Sequence, residues 1–224
     1  MDITNLTSYI NSNWSKFKES ITKISKNDET SLITSSIKLF NFDKISEDIY
    51  GNNSTKPTSV DALMLTKSGL NLIEFKSGFS DKIAKDNFDE EKAKCSYSHK
   101  VCKDYWDSFN KCRKLEKKDL KNSIMLKAVE SIITLKEKVF PQVCKGGDKI
   151  KLKLIVVIDT NPSDSIYESL TSLAKSDCSN SSVIGSLKNS LLRFRNKGKV
   201  NFYYDAVEVY SAIELKKRID QGLF

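Results

Sequence analysis

Asp61, Glu74 and Lys76 are the residues of this chain whose types and spacing are best suited to chemistry. Carboxylate oxygens are the ligands that Mg²⁺ prefers, and a lysine beside them can hold its ammonium close to a metal-bound water or a phosphate oxygen. Two neighbouring carboxylates repel each other, and a divalent cation between them removes the repulsion. These residue types suit metal-assisted hydrolysis of a phosphodiester, provided that the fold brings them together.

A predicted β-hairpin supplies that proximity. Its strands, residues 60–65 and 70–75, are two runs of strong β formers joined by a short turn. The turn sets Asp61 opposite Glu74, with opposed Cβ atoms about 5 Å apart. Because side chains alternate along a strand, Asp61, Glu74 and Lys76 then lie on one face of the sheet, unless a bulge in the turn shifts the register.

A purely structural alternative exists for these charges. Asp61 or Glu74 could form an exposed salt bridge with Lys76 at the sheet edge, which serves solubility and stabilises by at most about 1 kcal/mol. The spacing of an acid two residues before a lysine is itself common here, since it recurs at Glu90/Lys92, Glu116/Lys118, Asp119/Lys121 and Glu214/Lys216. The hairpin differs because its charges end a strand and a second acid stands at the matching place on the preceding strand.

Two segments of the hairpin resemble the motifs of the PD-(D/E)xK nuclease superfamily. Residues 73–76, Ile-Glu-Phe-Lys, match the second motif. Residues 56–61, Lys-Pro-Thr-Ser-Val-Asp, are similar to the approach to the first motif acid, with the proline displaced upstream. The predicted order of elements, a helix, the hairpin, another helix and a buried strand, also agrees over about residues 30–160. The resemblance supports the superfamily and no particular member.

The resemblance implies a fold, a reaction and a cofactor. The fold is an α/β restriction-endonuclease-like core, and the reaction is Mg²⁺-dependent hydrolysis of phosphodiester bonds, with Mn²⁺ as a substitute. Asp61, Glu74 and the main-chain carbonyl of Phe75 are the implied metal ligands. Lys76 is the residue implied to orient or activate the attacking water. DNA is the expected substrate.

Residues outside the hairpin are assigned less directly. Many members of the superfamily add an acid from the helix before the hairpin, and here Glu47 is preferred over Glu29. The Gln-x-x-x-Tyr pattern of the RecB-like branch is not seen after Lys76, which disfavours an exonuclease of that branch. On the helix that follows, Lys127 and Glu130 are expected to be exposed helix residues rather than parts of the site.

A basic segment after the hairpin is the candidate nucleic-acid surface. Its lysines and arginine could hold phosphates while interleaved aromatic side chains stack on bases, and the alternative, a solvated helix with its aromatics in the core, stays open. The candidate phosphate-binding residues are Lys100, Lys103, Lys111, Arg113 and Lys114. A zinc site is not expected, although Cys95, His99 and Cys102 share a helical stripe with Cys112 beyond it, because helical cysteines usually pack as small core residues.

Hydrophobic periodicity predicts the elements that must position these residues. The pattern indicates a single α/β domain over residues 1–224 with a central mixed sheet flanked by helices, a core motif region at about 30–160 and a C-terminal α/β extension over 161–224. The predicted helices are residues 1–40 with a polar break at 26–29, 120–140 ended by Pro141, 164–174, 183–194 and a short C-terminal helix, with helices and a loop at 82–121. The remaining predicted strands are 152–158, buried on both faces, and 200–204.

Composition bounds the classes of protein. The 224 residues carry 37 basic against 29 acidic side chains, a net charge of +8 that suits a polyanionic partner such as DNA, although solubility alone explains it equally well. The longest apolar run, residues 154–158, is far shorter than the roughly 20 residues of a membrane span. The N-terminus lacks a secretory pattern and the five cysteines form no Cys-x-x-Cys pair, which predicts a reducing cytoplasm.

The preferred hypothesis is therefore a cytoplasmic, metal-dependent endonuclease, with a homodimer left open. The alternatives are a non-catalytic nucleic-acid-binding module on the same fold and an assembly or regulatory protein for which the charge is incidental. The sequence does not distinguish DNA from RNA as the substrate, nor single from double strands.

Overall fold

A computed structural model of the chain describes residues 3–27, 30–51, 56–67, 69–77, 100–143, 150–159, 191 and 204–222. The helices are α1 (Ile3–Trp14), α2 (Ile21–Ile24), α3 (Phe42–Tyr50), α4 (Lys100–Thr134), α5 (Phe140–Val143) and α6 (Ala212–Asp220), with a 3₁₀ turn at Ser15–Phe17 and a π-helical segment at Leu135–Val139. The strands are β1 (Lys18–Ser20), β2 (Lys26–Asn27), β3 (Thr30–Ser31), β4 (Lys38–Asn41), β5 (Ala62–Thr66), β6 (Gly69–Lys76), β7 (Lys151–Ile158) and β8 (Ala206–Ser211).

The described residues form an α/β structure with a central mixed sheet of six strands flanked by helices. The strand order is β1-β4-β5-β6-β7-β8, antiparallel from β1 to β6 and parallel from β6 to β8. Strands β2 and β3 form a small separate hairpin. β6 therefore lies inside the sheet, between its antiparallel and parallel halves, and every residue of β6 before Lys76 is buried.

The hairpin has the predicted register. Leu63 pairs with Leu72 and Thr66 pairs with Gly69, so no bulge shifts the two strands. Gly69 is required by the other neighbour of β6, because an added Cβ would lie 2.0 Å from the carbonyl oxygen of Lys151 on β7. The hairpin thus presents the alternation of side chains that the sequence predicts.

The sheet separates two hydrophobic layers. One layer packs α1 and α4 against one face of the sheet, and Leu72 of β6 and Ile124, Ala128 and Ile132 of α4 belong to it. The other packs α2 and α6 against the opposite face and includes Ile73 of β6. Because residues two apart share a face, Glu74 points to the same side as Leu72, toward α4.

Several predicted elements are wrong. The helix predicted over residues 1–40 is confirmed only at α1 and α2, because strands β1, β2, β3 and β4 interrupt or replace it. At β4, Leu39 and Phe40 are buried in opposite layers, which requires the alternation of a strand. The strand predicted at 200–204 lies outside the described residues, apart from Tyr204, which forms an isolated β-bridge; strand β8, at Ala206–Ser211, was not predicted. The helix predicted from about residue 120 begins instead at Lys100.

Pro141 does not end the helical run. A π-helical segment follows α4, and the chain then continues as α5, with Pro141 as the second residue of α5 directly after the π-helical turn. Strand β7 and helix α6 confirm the predicted buried strand and the short C-terminal helix. The helices predicted at 164–174 and 183–194 lie outside the described residues, apart from Leu191, which is helical. Among the helices that are described, none is both long enough and apolar enough to cross a membrane.

Candidate active site

Asp61 and Glu74 come together at the end of the hairpin. Asp61 directly precedes β5, and its Oδ2 accepts a hydrogen bond of 2.6 Å from the backbone N–H of Phe75. Glu74, on the neighbouring strand, has no exposed surface. Lys76 lies two residues further along β6, and its Nζ is 3.4 Å from Oε1 of Glu74. The structure therefore brings the three sequence-predicted residues to one side of the sheet.

A second lysine lies between the two carboxylates. Nζ of Lys127, on α4, is 3.1 Å from Oδ1 of Asp61 and from Oε2 of Glu74, and 3.0 Å from Oε1 of Glu74. Its side chain is only 22% exposed. The expectation that Lys127 is an exposed helix residue is wrong, because α4 packs on this face of the sheet and the long aliphatic stem carries the ammonium to the hairpin.

The electrostatics of this group are dominated by burial. Burial raises the pKa of the Glu74 carboxyl from its ordinary 4.5 to about 8, and the charge of Asp61 acts in the same direction, while Lys127 and Lys76 oppose it. For Lys127, burial disfavours the charged form, but the Glu74 and Asp61 carboxylates outweigh it and raise the pKa above its usual range. Lys127 is therefore a firmly charged cation, whereas burial opposes the ionisation of Glu74.

The described contacts of Glu74 Oε1 are with two ammonium groups. Nζ of Lys127 lies 3.0 Å from this oxygen and Nζ of Lys76 lies 3.4 Å from it. A buried carboxylate oxygen that is compensated by cations can exchange an ammonium for a metal ion without losing its charge compensation. Oε1 is therefore available as a metal ligand if an ammonium moves away.

Asp43 and Glu47 are both solvent-exposed acids of α3, and the charge of Asp61 affects the pKa of Asp43. Asp43 lies in the first turn of α3, where desolvation raises the pKa of its carboxyl, a hydrogen bond from the Ser59 hydroxyl lowers it and the charge of Asp61 raises it further. Glu47 lies one turn later, is 50% exposed and pairs with Lys56 at 2.8 Å. The two acids are four residues apart on α3, so sequence spacing alone could not choose between them.

Helix α4 also fixes the segment that leads to Asp61. The Ser131 hydroxyl accepts a hydrogen bond of 2.9 Å from the backbone N–H of Val60. Glu130 accepts hydrogen bonds from both the backbone N–H and the hydroxyl of Thr58. Glu130, expected to be an exposed helix residue, instead holds the approach to the hairpin. The position of Asp61 is thus set from both sides, by α4 before it and by Phe75 after it.

A pocket of about 320 Å³ opens beside the carboxylate pair. Asp61, Lys76 and Lys127 line it, and the small hairpin closes one side through a hydrogen bond of 2.7 Å from the Asn27 amide to the Ser77 hydroxyl. Its other lining residues are Ile24, Ser25, Lys26, Phe75 and Leu120. The Asp61 side chain is 17% exposed. A ligand in the pocket could therefore contact a carboxylate and two ammonium groups at once.

The two carboxylates of the site suit a single cation that takes further ligands from water or substrate. The part of the chain that the structure describes contains no group of three or more Asp, Glu, His or Cys side chains arranged to hold a metal. The site offers two carboxylates in a geometry that already accommodates the ammonium of Lys127. These residues fit a divalent cation that takes the place of that ammonium, with further ligands from water or substrate.

The basic segment is described only in part. Lys111 and Tyr105 are exposed on α4, so Tyr105 does not lie in the core. The side chains of Lys100, Lys103, Arg113 and Lys114 lie outside the described residues, although their backbone belongs to α4.

The cysteines and histidine that could have formed a zinc site, which the sequence does not favour, are likewise described only in part. Cys95 and His99, like the upstream acid candidate Glu29, fall outside the described ranges, and so does the side chain of Cys102. Cys112 is an exposed free thiol.

Comparisons of the chain with family models, with curated proteins and with solved structures give no match.

Proposed function

We propose that this protein is a Mg²⁺-dependent nuclease on a restriction-endonuclease-like core, of the PD-(D/E)xK kind, that hydrolyses phosphodiester bonds in DNA. The observation that carries the proposal is the convergence of Asp61 with the buried Glu74, with Lys76 beside Glu74, next to an open pocket that Asp61 and Lys76 line. The basic charge of +8 supports a polyanionic substrate.

Each residue of the site has a role in this proposal. Asp61 and Glu74, with the carbonyl of Phe75, hold the metal, which when bound polarises the phosphate and acidifies a water. The hydrogen bond from Phe75 keeps the Asp61 carboxylate pointed toward Glu74. Lys76 lines the pocket and is placed to donate to the attacking water or to a phosphate oxygen. Pre-positioned charges of this kind lower the barrier because they need no reorganisation during the reaction.

The architecture is compatible with that assignment. The hairpin β5–β6 is followed by α4 and then by β7, which runs parallel to β6. Helix, motif hairpin, helix and buried parallel strand is the order that the sequence resemblance implies. Helix α4 packs on the face of the sheet that carries Glu74, so the carboxylates and this lysine-rich helix lie on the same face of the sheet.

One observation favours a second candidate. Because Lys127 already lies between the two carboxylates, the site is compensated without any metal ion. A non-catalytic nucleic-acid-binding or assembly protein on the same fold could keep the group as a buried salt bridge. Such a protein would bind DNA in a salt-sensitive way and would not cleave it with any divalent ion.

The test is cleavage of supercoiled plasmid and of labelled single- and double-stranded oligonucleotides by the purified chain, with Mg²⁺, Mn²⁺ or EDTA. We expect metal-dependent cleavage, reduced at least about a hundredfold by Asp61→Asn, Glu74→Gln or Lys76→Met. The matched control is the double variant Glu214→Gln/Lys216→Met, which removes an acid and a lysine at the same spacing from exposed positions on α6.

The outcomes separate the two candidates. Cleavage that survives all three hairpin substitutions would remove these residues from the mechanism. Salt-sensitive DNA binding without cleavage under any divalent ion would favour the non-catalytic module. Loss of cleavage in the α6 control as well would indicate a general effect of charge rather than a role of the hairpin.

A further inference from the structure

Lys127 has the position of a bridging cation. Its ammonium contacts Asp61 and both oxygens of Glu74 at 3.0 to 3.1 Å, so it spans the two strands of the hairpin. Lys76, by contrast, approaches Glu74 alone, at 3.4 Å. Of the two ammonium groups at the site, only that of Lys127 stands between the carboxylates.

A divalent ion that binds both carboxylates needs the same place. Bonds from Mg²⁺ to carboxylate oxygens are about 2.1 Å long, shorter than the present contacts of the ammonium. An ammonium and a divalent ion at such a short separation repel each other strongly in a poorly solvated site. The two cations therefore exclude each other.

The pocket beside the site can receive the Lys127 ammonium when it leaves the carboxylates. Lys127 and Asp61 both border the pocket of about 320 Å³ beside the site. Its side chain is long, partly exposed and attached to a helix that is held independently through Ile124, Ala128 and Ile132. The ammonium can thus leave the carboxylates by rotation of its own side chain while α4 stays in place.

We propose that Lys127 is the resident counter-ion of the carboxylate pair, and that a divalent metal ion binds this site only by displacing the Lys127 ammonium into the pocket. This inference rests on the proposed function, because it takes Asp61 and Glu74 as metal ligands. It adds that, in the absence of metal, the Lys127 ammonium occupies the place of the metal ion. Metal binding is consequently weakened by the free energy needed to break both contacts of Lys127.

The test measures metal affinity rather than cleavage. Mn²⁺ is titrated into the full chain without nucleic acid, and free Mn²⁺ is followed by its electron paramagnetic resonance signal. We expect Lys127→Met to bind Mn²⁺ at least about tenfold more tightly than the wild type, the lower end of the coupling measured for close charge pairs. Lys118→Met, which removes one ammonium from an exposed position on the same helix, should leave the affinity within about twofold of the wild type.

The wild type and the Glu74→Gln variant complete the experiment. Glu74→Gln should bind Mn²⁺ more weakly than the wild type, which assigns the bound ion to this site. Folding of every variant is checked by circular dichroism. Lys127→Gln, which removes the charge but keeps a hydrogen-bond donor, takes the place of Lys127→Met if that variant does not fold.

The failure of this inference differs from the failure of the proposed function. Equal or weaker Mn²⁺ binding by the Lys127 variants, together with binding that depends on Glu74, would overturn the displacement and leave the metal site standing. Absence of Mn²⁺ binding in the wild type and in the Lys127 variants would overturn the metal-dependent function and the displacement together. An equal gain in Lys118→Met would trace the effect to net charge and would also overturn the displacement.

Discussion

The substitution Glu74→Gln should make the protein more stable, by an amount that depends on pH. Glu74 is completely buried in a central strand, where ionisation of its carboxyl is opposed by desolvation and by Asp61. Glutamine has nearly the same shape and needs no charge in that place. Lys127 keeps its ion pair with Asp61 in the variant. The chief change is therefore the loss of a buried charge whose partners compensate it incompletely.

The sign and size follow from the linkage of protonation to folding. The pKa of Glu74 in the folded protein is raised from 4.5 to about 8, so between these values the folded state binds more protons than the unfolded state. Wild-type stability consequently falls as pH rises through this window, whereas residue 74 of the variant contributes no such dependence. A raised pKa is linked to the free energy of unfolding, so the stability gain of Glu74→Gln should grow by on the order of 1 kcal/mol or more from pH 5 to pH 8.

Urea unfolding at several pH values, with EDTA present throughout, measures this difference in the free energy of unfolding. Asp43 also has a raised pKa, but it is present in both proteins and its contribution cancels in the comparison. Glu214→Gln serves as the control, because Glu214 is exposed and pairs only with Arg218 at 3.5 Å among the residues the structure describes. This control should show a gain near zero that does not change with pH.

A stability difference that stays constant or shrinks with rising pH would refute the reasoning. That result would mean that the ion pair with Lys127 outweighs desolvation and that Glu74 is ionised in the folded protein at lower pH than its burial indicates. The displacement proposed for Lys127 would then need a metal ion to overcome a stronger ion pair.

Two further substitutions test how the site is held. Ser131→Ala should destabilise the protein by about 1–3 kcal/mol in urea unfolding, because it leaves the buried N–H of Val60 without its acceptor, and a change below about 0.5 kcal/mol would contradict this hydrogen bond. Gly69→Ala should cost more than about 2 kcal/mol, because its Cβ would lie 2.0 Å from the Lys151 carbonyl oxygen and force β6 away from β7; wild-type stability would show that this close approach is absent.

The hairpin and its register could be predicted because the information is local. A short turn and alternating residues on both sides fix which side chains oppose each other, and the structure has Leu63 opposite Leu72 as expected. The buried strand β7 could be predicted equally well, because a run of five aliphatic residues bounded by polar ones is typical of a strand covered on both faces.

The contribution of Lys127 depends on long-range packing that no local pattern contains. Ile124, Ala128 and Ile132 mark the core side of α4, and Lys127 lies one residue from that stripe, about 100° around the helix. Such a position is ordinarily a solvated flank. Only the placement of α4 over the carboxylate end of the hairpin turns it toward Asp61 and Glu74.

Strand β4 was missed for a similar reason. Leu39 and Phe40 are buried in opposite hydrophobic layers, which the alternation of a strand allows, and these layers exist only because helices pack on both faces of the sheet. Strand β8 likewise depends on a long-range contact, its parallel pairing with β7.

Burial decides between the two explanations that the sequence left for the hairpin charges. An exposed salt bridge at a sheet edge would serve solubility, but β6 is a central strand and Glu74 has no exposed surface. A leucine, as at position 72, would fill that interior without a desolvation penalty. The carboxylate is therefore a cost to the fold, and the proposed metal site would give it a role. If Glu74→Gln stabilises the protein and leaves cleavage unchanged, the buried carboxylate has no role in cleavage. If stability rises while Mn²⁺ binding and cleavage fall, the same buried charge accounts for all three results.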